Sequence, residues 1–311
     1  MPYDQNQRTP DRTRRVRRGV LAAALLLPAL LAAGCGGPGG ADPSGGTPPG
    51  GGKPGDTAPA SPPGSAPASP PGSAPASPPS PSASGEDRPL AGRTVVVDPG
   101  HNPGNFRHTS EIARQVDVGT HTKECDTTGT ATQAGYREAD FTLDVARRLR
   151  SLLESRGARV LLTHDGDRPF GPCIDERARF GNEARADAVV SVHADGSAAG
   201  HRGFHVILPA RVEGGGADTS AIVGPSRELG EHLVDAFARA TATGPADYLG
   251  GGTGIDVRSD LGGLNLSTVP KVFVECGNMR NGEDAALLSE GSWRQRAAEG
   301  MADGIGAYLA R

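Results

Sequence analysis

Four polar residues of this 311-residue chain stand at the ends of apolar patterns, where side chains can do chemistry. His193 and Glu275 each directly follow an apolar, β-branched run, and His101 follows another such run across a Pro-Gly turn. Glu138 stands at the start of an amphipathic helix pattern. Ligands of open α/β sheets bind beyond the carboxyl ends of the strands, so all four residues are expected at one edge. Two imidazoles and one carboxylate are a typical catalytic zinc set, and a further carboxylate outside the set suits proton transfer.

Each of these residues also has an ordinary structural interpretation. A histidine after a strand is often a hydrogen-bonded cap, and Glu138 could interact favourably with the positive end of a helix dipole. Glu275 is harder to explain in this way, because a carboxylate that ends a buried strand needs a charge partner or a function. The other histidines are expected to lie outside the site, although His205 falls within a strand pattern: His108, His121, His164, His201, His205 and His232.

The elements that would position these residues are strands that alternate with helices. Short β-branched runs predict strands at residues 94–97, 160–163, 188–192, 204–208 and 272–274. Apolar residues at helical spacing predict helices over residues 138–157, 175–184, 225–240 and 293–309. Such alternation requires crossover connections, so the predicted fold is one α/β domain with a mostly parallel twisted sheet flanked by helices. The polar stretch 102–135 is too long for an ordinary connection and is predicted to be a functional loop.

Residues 1–35 have the features of an export signal. Five arginines between positions 12 and 18 precede an apolar run of 14 residues, which is shorter than the roughly 20 residues of a membrane-spanning helix. The run ends on Leu-Ala-Ala-Gly before Cys35, which resembles a bacterial lipoprotein signal with Cys35 as the lipidated residue. The alternative is simple secretion with cleavage near Ala33. Both interpretations predict an exported protein, either a membrane lipoprotein that faces the cell wall or a secreted one.

Residues 36–86 form a linker of biased composition. Forty-five of the 50 residues from 36 to 85 are Gly, Pro, Ser or Ala, so the segment has little to bury and is predicted to be disordered. The folded domain is therefore expected at residues 87–311. The net charge of −4 and the aromatic content of 4% argue against a nucleic-acid partner.

Three cysteines lie beyond the linker. Cys125 and Cys173 fall in polar, turn-rich segments, whereas Cys276 adjoins an apolar strand and is expected to be a small buried thiol. In an oxidising compartment, a disulfide between Cys125 and Cys173 is the simplest pairing. Three cysteines also permit two other pairings, which the sequence leaves open.

The motifs together resemble a known enzyme family. They are VVVDPGH at residues 95–101, Glu138 at a helix start, SVHAD at 191–195 and VECGN at 274–278. In order and spacing they are similar to the zinc-dependent N-acetylmuramoyl-L-alanine amidases of the third amidase family, over residues 93–311. The resemblance implies zinc held by His101, Glu138 and His193, with Glu275 as the catalytic carboxylate. It also implies hydrolysis of the amide that joins N-acetylmuramic acid to L-alanine in peptidoglycan.

Two short segments depart from the usual pattern of that family. They are NPG at residues 102–104, where a Gly-Gly pair is usual, and CGNM at residues 276–279, where a Gly-Gly-Phe type run is often found. Both variants resemble the actinobacterial subgroup. They leave the implied ligands intact and bear on the shape of the cleft and its preference among stem peptides.

Two other functions share parts of this pattern. A zinc carboxypeptidase or deacetylase acting elsewhere on the wall would use the same metal set in a different cleft. A non-catalytic, tethered wall-binding lipoprotein would be expected to lack a ligand or Glu275, and the sequence retains them all. The expected partners are peptidoglycan or its muropeptide fragments, and the membrane through a lipid anchor. The protein is expected to be a monomer.

Overall fold

The computed structural model describes residues 88–310, in which short and long strands alternate with helices. In chain order the strands are β1 (Thr94–Pro99), β2 (Gln115–Asp117), β3 (Thr122–Glu124), β4 (Arg159–Leu162), β5 (Ala188–Asp195), β6 (His205–Pro209), β7 (Glu213–Gly214), β8 (Ala217–Asp218), β9 (Ile255–Arg258) and β10 (Lys271–Asn278). The helices are α1 (Thr109–Ile112), α2 (Glu138–Ser155), α3 (Ile174–Glu183), α4 (Val223–Thr241), α5 (Gly262–Asn265), α6 (Gly282–Ser289) and α7 (Gly291–Leu309).

Six of these strands form the main sheet, in the spatial order β4-β1-β5-β10-β6-β9. Neighbouring strands are parallel except for β10 and β6, which are antiparallel. The predicted α/β fold with a mostly parallel sheet is therefore confirmed. The carboxyl ends of β1, β5 and β10 lie side by side, because β5 pairs with both of the others in parallel register.

One face of the sheet is an apolar core covered by α2, α4 and α7. Alternate residues of the strands, such as Val190 and Val192 on β5, point to this face and are fully buried. Phe237 of α4 packs there against Trp293 of α7. The two helices approach so closely that a Cβ on Gly300 of α7 would lie 2.9 Å from the Cα of Phe237. A glycine is therefore required at this crossing.

The other face is only partly covered. Phe180 of α3 packs against Val96 and Val189 in a second, smaller apolar cluster. Ser191 and His193 lie on this same face, since they alternate with the core residues of β5. Near the carboxyl ends of the strands, the face is bordered by the β2–β3 hairpin and α5, which leave a cavity above the sheet.

The predicted elements correspond to β1, β4, β5, β6, β10, α2, α3, α4 and α7, with ends that differ by no more than four residues. The predicted polar loop contains α1 and the β2–β3 hairpin, and β9 was missed because its sequence, IDVR, has no apolar run. The predicted export segment, the linker and Cys35 lie outside the described residues. None of the helices within residues 88–310 is both long and apolar enough to cross a membrane.

Candidate metal centre

Three of the residues singled out in the sequence meet at the carboxyl edge of the sheet. His101 follows β1, Glu138 is the first residue of α2, and His193 lies near the end of β5. One side-chain atom of each lies within 4.8 Å of the others. Glu138 Oε1 is 2.9 Å from His193 Nδ1 and 3.2 Å from His101 Nε2. The two imidazole rings stand almost perpendicular, with centroids 5.1 Å apart.

The backbone around this cluster allows the close approach of its members. A Cβ on Gly100 would overlap the ring of His193, and a Cβ on Gly129 would lie 2.7 Å from Glu138 Oε2. His101 itself has a φ of 60°, which is uncommon for a residue with a Cβ. The Pro-Gly-His turn therefore serves to direct the His101 imidazole back over the sheet edge.

Glu138 is held as a buried carboxylate. Its Oε2 accepts a hydrogen bond from the Thr130 amide at 2.9 Å, and its Oε1 accepts one from the Ala194 amide at 3.3 Å. Burial alone would raise the pKa of Glu138, but the neighbouring His101 and His193 hold it below its ordinary value. The group is therefore an anionic ligand candidate over the whole physiological pH range.

The hydrogen bonds of His101 fix which ring nitrogen faces the cluster. Its Nδ1 lies 3.1 Å from the carbonyl oxygen of Thr127 and 3.3 Å from Asp126 Oδ1. A carbonyl can only accept, so Nδ1 carries a proton and Nε2 is the ring nitrogen that faces Glu138. Burial lowers the pKa of His101, but Glu138 and Asp126 outweigh it and raise the pKa to about 10. A metal cation bound between Nε2 and Glu138 would take the place of the second ring proton, so the negative charge of this site suits a cation.

A buried arginine organises the groups beneath His101. The guanidinium of Arg177 has five N–H donors, and all of them are engaged. They reach the carbonyls of Pro172, Pro99 and His101, Asp98 Oδ1 at 2.7 Å and Asp126 Oδ2 at 2.9 Å. Arg177 thus holds both the backbone of His101 and the carboxylate that bonds its Nδ1. Neither Arg177 nor Asp126 was identified from sequence, although Asp98, a charge inside a buried strand, indicates that a cation must be near.

Glu275 lies beside the cluster on β10. It pairs in register with His193 of β5 and with His205 of β6. Its Oε2 is buried and has no hydrogen-bond partner within residues 88–310. Burial raises the pKa of Glu275 well above its ordinary value, and the negative charges of Glu138 and Asp195 raise it further. A carboxyl that can hold a proton next to a metal cluster is what proton transfer in hydrolysis requires.

A cavity of about 500 Å³ opens beside the metal cluster. His101 and His193 border it at one end, and Phe273 of β10, which stacks on the His193 ring, lines its floor. The β2–β3 hairpin and residues 261–263 form its walls. His121, which the sequence interpretation placed outside the site, lies on the hairpin and lines this cavity. The other five histidines are not members of the metal cluster.

The predicted disulfide between Cys125 and Cys173 is present, and Cys276 is a free, buried thiol as expected. The disulfide joins the end of the β2–β3 hairpin to the start of α3, where it packs in a small apolar cluster with Val116 and Val118. The segments that it joins carry Asp126 and Arg177. The covalent bond therefore supports the hydrogen-bonded layer beneath His101.

A mostly parallel α/β sheet with two histidines and a glutamate at its carboxyl edge, and a separate buried carboxylate alongside, is an arrangement that suits a metal-dependent hydrolase. Comparison with known proteins gives the family. A family model described as N-acetylmuramoyl-L-alanine amidase matches residues 95–307. The chain therefore belongs to the N-acetylmuramoyl-L-alanine amidase family and is an enzyme of that class.

Mycobacterial relatives support this assignment. The amidase Rv3717 of Mycobacterium tuberculosis is 41% identical over 231 residues, which cover 74% of this chain and 91% of the relative. The crystal structure of the amidase Ami1 from Mycobacterium smegmatis matches with a TM-score of 0.65 and 41% identity, covering 71% of this chain and 98% of that one. Ami1 from Mycobacterium abscessus gives the same TM-score at 42% identity, covering 71% of this chain and 100% of that one. These matches confirm the predicted resemblance to the actinobacterial subgroup.

Proposed function

We propose that the protein is a zinc-dependent peptidoglycan hydrolase that cleaves the amide between N-acetylmuramic acid and the L-alanine of the stem peptide. The observation that carries this proposal is the convergence of His101, Glu138 and His193, with the unpartnered Oε2 of Glu275 beside them. The relatives that match over most of the chain are named for the same activity.

His101, Glu138 and His193 would hold the zinc ion, since two imidazoles and a carboxylate are a donor set of catalytic zinc sites. Zinc bound there supplies a Lewis acid, which polarises a carbonyl and lowers the pKa of water. Asp126 and Thr127 keep the proton of His101 on Nδ1, so that Nε2 remains available as a ligand. Phe273 stacks on the ring of His193 and limits its rotation.

Glu275 has the role of the proton carrier. In the hydrolysis of the amide, its Oε2 takes a proton from the attacking water and returns it to the nitrogen of the leaving L-alanine. The raised pKa of Glu275 favours the second step, because the carboxyl, once protonated, must keep the proton until it passes to the leaving amine. Its position in register with His193 keeps it beside the metal cluster and outside the ligand set.

The proposal is tested with purified muropeptides and mass spectrometry, with and without a chelator. The expected product is a free stem peptide with an L-alanine N-terminus, formed by the zinc-loaded protein and lost on chelation. Removal of a terminal residue would indicate a carboxypeptidase, and loss of an acetyl group would indicate a deacetylase. Elemental analysis should give one zinc per chain, and a His193→Ala variant that keeps full zinc occupancy would contradict the ligand assignment.

We also propose that the chain acts outside the cytoplasm as a monomer, with an export segment at 1–35, a linker at 36–86 and the catalytic domain at 87–311. Relatives named as cell wall amidases support an exported or wall-associated protein. A lipid on Cys35 would tether the domain to the membrane. If the wild-type protein partitions into the aqueous phase during detergent extraction, the lipid anchor is wrong and the protein is freely secreted.

A further inference from the structure

The cavity beside the metal centre contains a buried lysine that the proposed reaction does not use. Lys271 begins β10 and shares its face with Phe273 and Glu275, because side chains alternate along a strand. It lines the cavity, and its side chain is only 1% exposed. Its Nζ has no hydrogen-bond acceptor within residues 88–310; the carboxylate of Asp98 forms an ion pair with it at 3.6 Å. A buried ammonium with uncommitted N–H donors is costly unless an acceptor joins it.

The other charged groups deep in the cavity are already satisfied by protein partners. Every donor of Arg177 is used, as described above. Asp98 accepts hydrogen bonds from Thr163 and Ser191 in addition to Arg177. Asp126 is bonded to Arg177 and lies against His101. Among the charged groups deep in this cavity that the structure describes, Lys271 is therefore the one whose N–H donors remain available to a ligand.

The position of Lys271 relates it to the bond that is cleaved. Lys271 is four positions before Glu275 on the same strand, which corresponds to about 13 Å between their Cα atoms. The Nζ of Lys271 lies over the ring of Phe273, 5.6 Å from its centroid, so the lysine side chain extends toward the part of the floor that Phe273 lines. A peptide that enters the cavity from the metal cluster would therefore bring the groups of its first few residues toward the ammonium.

We propose that this cavity is a subsite for a carboxylate of the stem peptide, on a residue close to the alanine, with Lys271 as its charge partner. This inference rests on the proposed function. The glycan side of the substrate offers hydroxyl and acetamido groups next to the bond, whereas the peptide side offers carboxylates, and a buried ammonium selects the latter. A volume of about 500 Å³ is within the range of sites for small ligands.

The test uses two soluble muropeptides that differ at one group, the carboxylate of the second stem residue, which is either free or converted to a carboxamide. Wild-type protein is expected to cleave the acid with kcat/KM about tenfold higher than the amide, as expected for a lost charge-assisted hydrogen bond. Lys271→Met is expected to abolish this preference by raising KM for the acid. Its kcat for the acid and its kcat/KM for the amide should stay within about twofold of the wild-type values.

The matched control is Arg239→Met, which removes a positive charge from the exposed surface of α4 and should keep the wild-type preference. If Lys271 serves only to balance Asp98, Lys271→Met will lower the cleavage of both muropeptides equally, and that result overturns the subsite.

Inhibition of the wild type by the two released peptides gives a second measurement that needs no variant. Equal inhibition by acid and amide also contradicts the subsite. Failure of wild type to cleave either muropeptide would overturn the proposed reaction itself, and the subsite with it.

Discussion

The two faces of the sheet are built from the same strands but are stabilised by different kinds of interaction. On β5, Val190 and Val192 enter an apolar core under three helices, while Ser191 donates a hydrogen bond to Asp98 and His193 belongs to the candidate metal cluster. The core face is stabilised by the removal of apolar area from water, which depends on shape and is insensitive to pH. The site face is stabilised by charges that satisfy one another, so each member depends on its partners. One strand can thus carry both kinds of stabilisation because its side chains alternate.

The largest effect is expected on turnover, from a substitution on the site face that leaves the fold unchanged. Glu275→Gln keeps the size of the side chain and removes its ability to exchange a proton, so turnover should fall by about 10²–10⁴-fold. Zinc content and the midpoint of thermal unfolding should stay at wild-type values. Glu154→Gln, an exposed position on α2, is the matched control and should retain full activity. Near-normal cleavage by well-folded Glu275→Gln would assign the proton transfer to another group.

On the core face, the expected effect is on stability. Phe237 is fully buried and packs on Trp293 and Phe204, so Phe237→Ala should lower the free energy of unfolding by about 3–5 kcal/mol. The folded fraction should still bind one zinc per chain. Phe106→Ala, at a ring that is 49% exposed, should cost less than about 1 kcal/mol. Denaturant unfolding measures both, and equal losses for the two variants would contradict the assignment of the core to this face.

A smaller effect is expected from the layer beneath His101. Asp126→Asn removes a negative charge that faces His101 Nδ1 and Arg177, and the affinity for zinc should fall by about 10–100-fold. A competition titration against a chelator measures this at constant pH. Asp235→Asn, at an exposed position on α4, should leave the affinity unchanged. An unchanged affinity in Asp126→Asn would show that Thr127 alone orients the imidazole.

The smallest effect concerns the pH dependence of stability, which is expected to differ between the two faces. Burial would raise the pKa of Asp98, but Arg177, Lys271 and the hydroxyls of Ser191 and Thr163 hold it well below its ordinary value. A carboxyl with a lowered folded-state pKa stabilises the fold above its unfolded pKa of about 3.9, and the contribution is lost as the pH falls below that value. The stability difference between wild type and Asp98→Asn should therefore shrink between about pH 5 and pH 3. The difference caused by Phe237→Ala should remain constant over the same range.

Sequence patterns predicted those features that are local along the chain. His193 and Glu275 were identified because each directly ends an apolar run, and Glu138 because it begins a helix pattern. Arg177 could not be identified in this way, because its partners Asp98 and Asp126 are 79 and 51 residues away and a charged residue on a short helix looks like part of a solvated face. The β2–β3 hairpin was missed for a similar reason. Its strands, QVD and TKE, are three residues long and are mostly polar.

The disulfide determines whether the molecule stays in one piece after a protease cuts the chain. Cys125 and Cys173 are 48 positions apart, and Glu138 lies in the segment between them while His101 and His193 lie outside it. A protease that cuts the exposed turn near Asp167 and Arg168 would divide the chain between Glu138 and His193. The two fragments would remain covalently linked, so a nicked molecule would run as one band on a gel without reductant and as two bands with it. Cleavage at this turn would therefore leave all three proposed ligand residues in one molecule.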